Sequence, residues 1–419
     1  MRTPGVLRAL SYRNFSLYFS GQLVSLVGTW MQSTAQSWLV YRMTHSPFLM
    51  GLTVFIGLIP AFLIGVWGGV LADRYNKHTL IIITQTLEML QAFVFAALVL
   101  SGHITIEWIF VLAALLGTIH AVDMPVRQSF IVDLASPEVM PSAIALNSSI
   151  FNAARIVGPA LAGLFVAVAN EGCCFLINGL SFFAVLLSLF LLKLRPHRRQ
   201  KHLRSAFQQL RDGLSYAYRT PHVRSIFSIL TIAVLSGTPY LTFMPIYAND
   251  ILKSGPQGLG ILMGGAGIGA FLGAIAIGGS KKTRYFGTTI SLAVCGFGAG
   301  LVLFALSRSF AASFCILFTL GFSMMAGMVS SNILLQLLVP DHLRGRLMSI
   351  YSTIIVGVVP IGSLISGWAA KRWGVELTTV AGGVLSIFAG AWFQTQLHIF
   401  GDGMTATLAQ HEKAMPVVQ

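Results

Sequence analysis

Gly69-Val70-Leu71-Ala72-Asp73-Arg74-Tyr75-Asn76-Lys77-His78 is a charged interruption between two apolar runs, residues 48–72 and 78–101. A bilayer core about 30 Å thick is crossed by roughly 20 apolar helical residues, so each flanking run is long enough to span it. Outward in both directions the alternation repeats. Apolar runs cover residues 15–41, 48–72, 78–101, 104–124, 142–168, 172–194, 222–248, 257–280, 285–306, 309–334, 346–370 and 374–398. The 419 residues are 55% hydrophobic and 10% charged, against about 25% charged in soluble domains. The sequence therefore predicts an all-α membrane protein of twelve transmembrane helices, with lipid as the main solvent of its surface.

The formal net charge of +14 would on its own admit a polyanion partner. Placement argues otherwise. Of 27 Lys and Arg residues, 21 fall on the N-terminal arm, alternate loops and the C-terminal tail, five on the opposite loops, and Arg155 within a span. This asymmetry predicts that both termini are cytoplasmic. No nucleic-acid-binding motif accompanies the charge, so no nucleic-acid partner is expected. The first apolar run is longer than the roughly 7–15-residue core of a cleavable signal and is expected to persist as the first span. Cys173, Cys174, Cys295 and Cys315 show neither C-x-x-C spacing nor a nearby histidine, so they are expected to pack rather than bind metal.

The expected organisation is an N-terminal six-helix bundle (1–194), a basic linker (195–221), a C-terminal six-helix bundle (222–398) and a cytoplasmic tail (399–419). In the linker, Leu203, Phe207, Leu210 and Leu214 recur at helical spacing, which suits an amphipathic helix on a membrane surface with its cations toward lipid headgroups. The halves are related: Pro47 aligns with Pro256, Gly51 with Gly260 and Gly69 with Gly278, and further on Pro137 aligns with Pro340 and Pro159 with Pro360. Parallel six-span repeats with a substrate site between them are a recurrent transporter design.

In the opening stretch, Gly69 would permit close helix approach, and Asp73 would cap or ion-pair at the membrane edge. Arg74 and Lys77 would hold the loop inside, and Asn76 suits a left-handed turn. The counterpart Gly278-Gly279-Ser280-Lys281-Lys282 keeps the glycine and the positive charge but has lysine where Asp73 would align. Residues 69–78 resemble the G-x-L-A-D-R-x-G-R-K signature of the major facilitator superfamily, with Asn76 in place of glycine and His78 in place of a basic residue. That resemblance implies a cytoplasmic latch near the start of the eleventh span, in which Asp73 and Arg74 gate rather than bind substrate.

The fifth span reads Arg155-Ile156-Val157-Gly158-Pro159-Ala160-Leu161-Ala162-Gly163. It resembles the G-P-x-x-G-G element of major facilitator antiporters, with Ala162 for the first paired glycine, and so implies export. Pro159 removes a helical hydrogen bond, while Gly158 and Gly163 admit a neighbouring backbone; ordinary kinked packing is the plainer reading. Gly28-Thr29-Trp30-Met31-Gln32, Gln36-Ser37-Trp38-Leu39-Val40-Tyr41, Asp123-Met124-Pro125-Val126-Arg127-Gln128, Ala145-Leu146-Asn147, Gln336 and Arg344-Gly345-Arg346 resemble the bacterial transmembrane secretion effector branch. That branch includes enterobactin exporters and macrolide efflux proteins.

An ionisable group deep in a helix costs about 2.5–3.5 kcal/mol on insertion scales and normally faces a cavity or a partner. Glu88 and Arg155 stand well inside their spans. Either Glu88 carries a coupling proton, or the two form a fixed pair. Gln32, Gln36 and Trp38 on the first span, and Asn147 and Asn152 on the fifth, are candidates to line the cavity or to bind spans together. Tyr240 and Asn332 are the second-half candidates, and His120 reads as a packing residue. Gly260, Gly264, Gly265, Gly269 and Gly273 give the eighth span a close-packing face, and no Walker pattern appears.

The expected activity is export of a small amphipathic organic compound (drug, siderophore or metabolite) by alternating access. The drive is proton antiport, with no bound cofactor and no enzymatic chemistry. The alternatives are uptake, lipid flipping, or a non-transporting sensor or scaffold, for which an intact Asp73 loop would have no use.

Overall fold

In a computed structural model, the described residues are 5–192, 206–279 and 285–414; side chains at positions 5, 6, 66, 73, 137, 206–212, 341, 342 and 398–414 lie outside the description. Fourteen α-helices follow in order: α1 Arg13–Thr44, α2 Pro47–Arg74, α3 Lys77–Leu100, α4 Ile106–Leu134, α5 Met140–Val168, α6 Glu171–Phe190, α7 Ala206–Arg219, α8 Pro221–Thr242, α9 Met244–Ile246, α10 Gly255–Gly278, α11 Phe286–Leu306, α12 Phe310–Leu338, α13 Asp341–Trp373 and α14 Val375–Ala414. Excluding the short α7 and α9, twelve are long. Among the described residues, eleven of these are long and apolar enough to cross a membrane. The twelfth, α1, is 32 residues, or about 48 Å at 1.5 Å per residue. It falls below the others in apolarity because it carries Gln22, Ser25, Gln32 and Thr34, all buried against neighbouring helices. A span this polar is stable because lipid does not meet those side chains.

The chain forms two compact units. The first holds α1–α6 and the later segment Met244–Gly264. Within it α2 packs on α4, α1 on α5 and α6, and α3 on α4 and α6. Phe15, Tyr18, Phe130, Val185 and Leu189 lie in its main apolar cluster. The second holds α7, α8, the rest of α10 and α11–α14, with α11 against α12 and α14, and α8 against α13 and α14. Val223, Ile226, Ile290, Leu334 and Phe393 lie in its core.

Two expected span ends move, and two helices extend or begin where no bound was set. The fourth span does not stop at 124: α4 continues through Pro125 to Leu134, because a proline inside a membrane helix is tolerated where neighbours satisfy the freed backbone. The seventh span does not run unbroken to 248. Pro239 and Pro245 flank a stop at Thr242, after which come α9 and a π-type turn, Tyr247–Ile251. The last span lies at Val375–Leu397, close to the expected end at 398, but its helix continues beyond it to Ala414. The linker helix begins at Ala206 and packs on α13, Gly213 lying beside Ile350. Leu203, together with Ser280, Lys281 and Lys282, falls outside the described residues.

Candidate functional site

The densest buried ionisable cluster lies between α3 and α4. One turn and a half of α3 supplies Thr84, Gln85 and Glu88, all buried, since residues three to four apart share a helix face. Opposite stand His120, Asp123 and Arg127 of α4. Asp123 accepts from Thr84 Oγ1 at 2.7 Å, from Gln85 Nε2 at 3.2 Å and from Arg127 Nε at 2.9 Å, and Arg127 Nη2 closes the fork on the same carboxylate. Gln85 Nε2 also reaches Glu88 Oε2 at 3.2 Å. Glu88 Oε1 lies 3.5 Å from His120 Nε2 but has no hydrogen bond. The guanidinium is thus bonded to Asp123 alone, and an imidazole stands beside the less saturated carboxyl, Glu88.

Glu88 does not pair with Arg155. Arg155 lies on α5, its guanidinium carbon 6.0 Å from the Trp30 ring centroid. Gln32 does not line open space: its amide donates to Gln91 Oε1 at 3.0 Å and accepts from Asn178 Nδ2 at 2.7 Å, joining α1, α3 and α6. Gly28 sits against Asn178 and Ser181 in that same contact. Trp38 is buried, 5.5 Å from the Tyr41 ring, whereas Gln36 and Asn147 are half-buried. Asn152 Nδ2 donates to Ser148 O at 2.8 Å. In the second unit Tyr240 packs edge-on against Phe297, and Asn332 accepts from Gln336 at 2.6 Å.

The loop of residues 69–78 is built differently from expectation at two positions. Asn76 has φ −68°, outside the left-handed region, and caps α3, its side chain accepting from the backbone of His78 and Thr79. The Asx side chain is here worth more as an N-cap than as a turn former. Gly69 has open space where a Cβ would stand; the close approach belongs to Gly68, packed on the Ala121 carbonyl and, at 3.0 Å, on Pro125 Cγ of α4. A Gly68→Val variant is expected to melt earlier, losing about 1–3 kcal/mol by overpacking, while Gly69→Val keeps the wild-type melting curve. Equal melting of the two in a fluorescence unfolding assay would contradict this packing. Lys77 pairs with Asp133 at 2.9 Å, tying the loop to α4. Arg74 is exposed at the end of α2, and the Asp73 side chain lies outside the described residues.

Gly158 and Gly163 meet different neighbours. A Cβ on Gly158 would stand 2.5 Å from Trp30 Cβ and 3.0 Å from the Met31 nitrogen; one on Gly163 would stand 2.5 Å from the Pro256 carbonyl and 3.1 Å from Gly260 Cα. One face of α5 is therefore close-packed on α1 and another on the start of α10. The Met244–Gly264 segment is further held by Tyr41, whose hydroxyl hydrogen-bonds Asp250 and accepts from Asn249 Nδ2 at 2.7 Å.

Residues 5–414 match the family model described as transmembrane secretion effector. The chain belongs to that family. This secretion-effector protein is accordingly a multi-pass membrane transporter of the major facilitator superfamily and not an enzyme. It is 26% identical to the staphyloferrin A transporter of Staphylococcus aureus over 88% of this chain and 93% of that one. It is 20% identical to macrolide efflux protein A of Streptococcus pyogenes over 90% and 95%. Its fold is similar to that of a bacterial homologue of the human lysosomal transporter Spinster in an inward-facing, unoccupied conformation. The TM-score is 0.72 at 14% identity, covering 94% of this chain and 97% of that one.

Asp123 and Arg127 are the site residues that sequence reasoning passed over. With the fourth span ended at 124, Asp123 stood at its very end and Arg127 counted as a loop charge, although their i,i+4 spacing was a usable signal.

Proposed function

We infer that this transporter exports a small amphipathic organic compound from the bacterial cytoplasm across the inner membrane, in exchange for protons, with both termini cytoplasmic. The observation that carries the reading is the charge imbalance between α3 and α4. Glu88 and Asp123 face a single cation, Arg127, and Asp123 takes both of its closest hydrogen bonds. Glu88 is left with one oxygen lacking a donor, beside His120. A proton at that oxygen neutralises the cluster and turns the oxygen into a donor facing His120 Nε2; its departure restores a buried negative charge, which is costly in a low-dielectric span. Proton occupancy thus biases which arrangement of α3 and α4 is favoured, and a ligand or proton shifts an equilibrium only through such differential free energy. Asp73 and Arg74 belong to this reading as the cytoplasmic gate, supported by the resemblance of their loop to the superfamily signature. The similarity to macrolide efflux protein A supports export over uptake.

The test uses everted membrane vesicles energised to be acidic inside and offered a panel of fluorescent amphipaths. Accumulation of at least one compound that collapses with a protonophore is expected. Accumulation indifferent to the protonophore would refute antiport, and no accumulation of any compound would refute export.

A further inference from the structure

Among the described residues Arg155 is a cation without an anion. It lies about halfway along α5, half-buried, and among the described residues it has no ion pair and no hydrogen bond; its recorded neighbour is the ring of Trp30. A guanidinium is permanently charged in proteins, and placing one within a span is expensive unless something compensates. The aromatic face supplies part of the compensation, but it satisfies none of the five N–H donors. Elsewhere in the first unit the strongly held cations do have acids: Arg42 takes Glu171 in a two-point bond at 2.7 and 3.1 Å, Lys77 takes Asp133, and Arg127 takes Asp123. Arg155 has no such acid among the described residues, and it lies on a face of α5 whose residues are exposed or half-buried.

That face has a composition lipid would not select. Helical spacing places Ser148, Phe151, Asn152 and Arg155 along one side of α5, all exposed or half-buried. Phe151 stands edge-on to Trp30 with ring centroids 5.6 Å apart. The result is a cationic fork, a polar amide one turn away, and two aromatic rings forming an apolar wall beside the charge.

We propose that Arg155, Trp30 and Phe151 form a substrate-binding site for organic anions, in which a carboxylate of the transported compound takes the guanidinium fork and its apolar body lies on the two rings. This rests on the exporter reading and narrows it to one substrate class. Arginine matches carboxylate geometry bidentately, so a planar oxyanion is favoured over a neutral ester of the same shape. Hydrogen bonds to a charged partner are stronger than those to a neutral one, enough for a preference of roughly tenfold or more.

The site is tested by binding. Purified protein in lipid nanodiscs is titrated with a graded panel of dansylated amino acids and, in parallel, their methyl esters, following dansyl fluorescence. For acids whose bodies fit, the wild type is expected to bind at least about tenfold more tightly than the matching ester. Arg155→Gln removes that preference without weakening ester binding, Arg155→Lys retains part of it, and Trp30→Leu weakens acid and ester alike. Nanodisc melting curves check that each variant is folded, and the Lys variant carries the test if the Gln variant is not. Equal binding of acids and esters across the panel, or a preference that survives Arg155→Gln, overturns the site. The exporter reading fails separately: acids that bind as described but are never accumulated by vesicles would leave the site standing and remove the transport function. Accumulation of the esters alone would do the reverse.

Discussion

Replacing Glu88 with glutamine is expected to cut pH-gradient-driven accumulation by about tenfold or more, equivalent to ~1.4 kcal/mol on the transport barrier, while exchange of substrate without a gradient continues. Glutamine keeps the shape of a protonated carboxyl and supplies a permanent donor where the acid offers one only when protonated. The contacts of Glu88 are with Gln85 and His120, both of which can accept from or donate to an amide. The fold should therefore survive, and what is lost is the alternation between a neutral and a charged cluster. Measured in everted vesicles, the split between gradient-driven flux and exchange separates a coupling residue from a structural one. Equal loss of both would make Glu88 structural, and wild-type pumping by the variant would place coupling elsewhere.

The largest effect on stability is expected at Arg127. Changing it to methionine strands Asp123, 1% exposed, beside Glu88, 2% exposed. Removing one partner of a buried pair typically costs about 3–5 kcal/mol, mostly because the remaining charge is left uncompensated. Arg127→Met should therefore melt well below the wild type in detergent. Adding Asp123→Asn to it should recover a substantial part of the loss, because the coupled pair is then removed as a whole and the remaining amide can still accept from Thr84. A double variant that melts lower than the single would mean that Asp123 stabilises the unit through α3 alone.

These two residues show how far the sequence could be followed. Span number and membrane character were legible because apolar runs of bilayer length are a one-dimensional signal, and the α2–α3 junction was legible from its charged break. Gln32 was visible as a polar residue on an apolar helix, but whether it faces a cavity or a neighbour depends on Gln91 and Asn178, which lie 59 and 146 residues away. The neighbours of Glu88 were left open for the same reason. Arg155 was the conspicuous buried cation, whereas the cation that shares a cluster with Glu88 sits after Pro125, where a rule drawn from soluble helices predicts an end. Gly69 and Gly68 differ by 100° of helix rotation, which no motif resolves without knowing where α4 lies.

The Met244–Gly264 segment belongs to the first unit although it follows α8 in the chain. That makes the order of synthesis matter. When α6 has left the ribosome, Tyr41 still lacks Asn249 and Asp250, and Gly163 still lacks the backbone of Pro256 and Gly260. The first unit can be finished only after α8 has been threaded into the membrane, so the two halves do not mature one after the other. A gene divided in the central linker would yield an N-terminal fragment with an unfinished rim, waiting for a piece carried by its sibling.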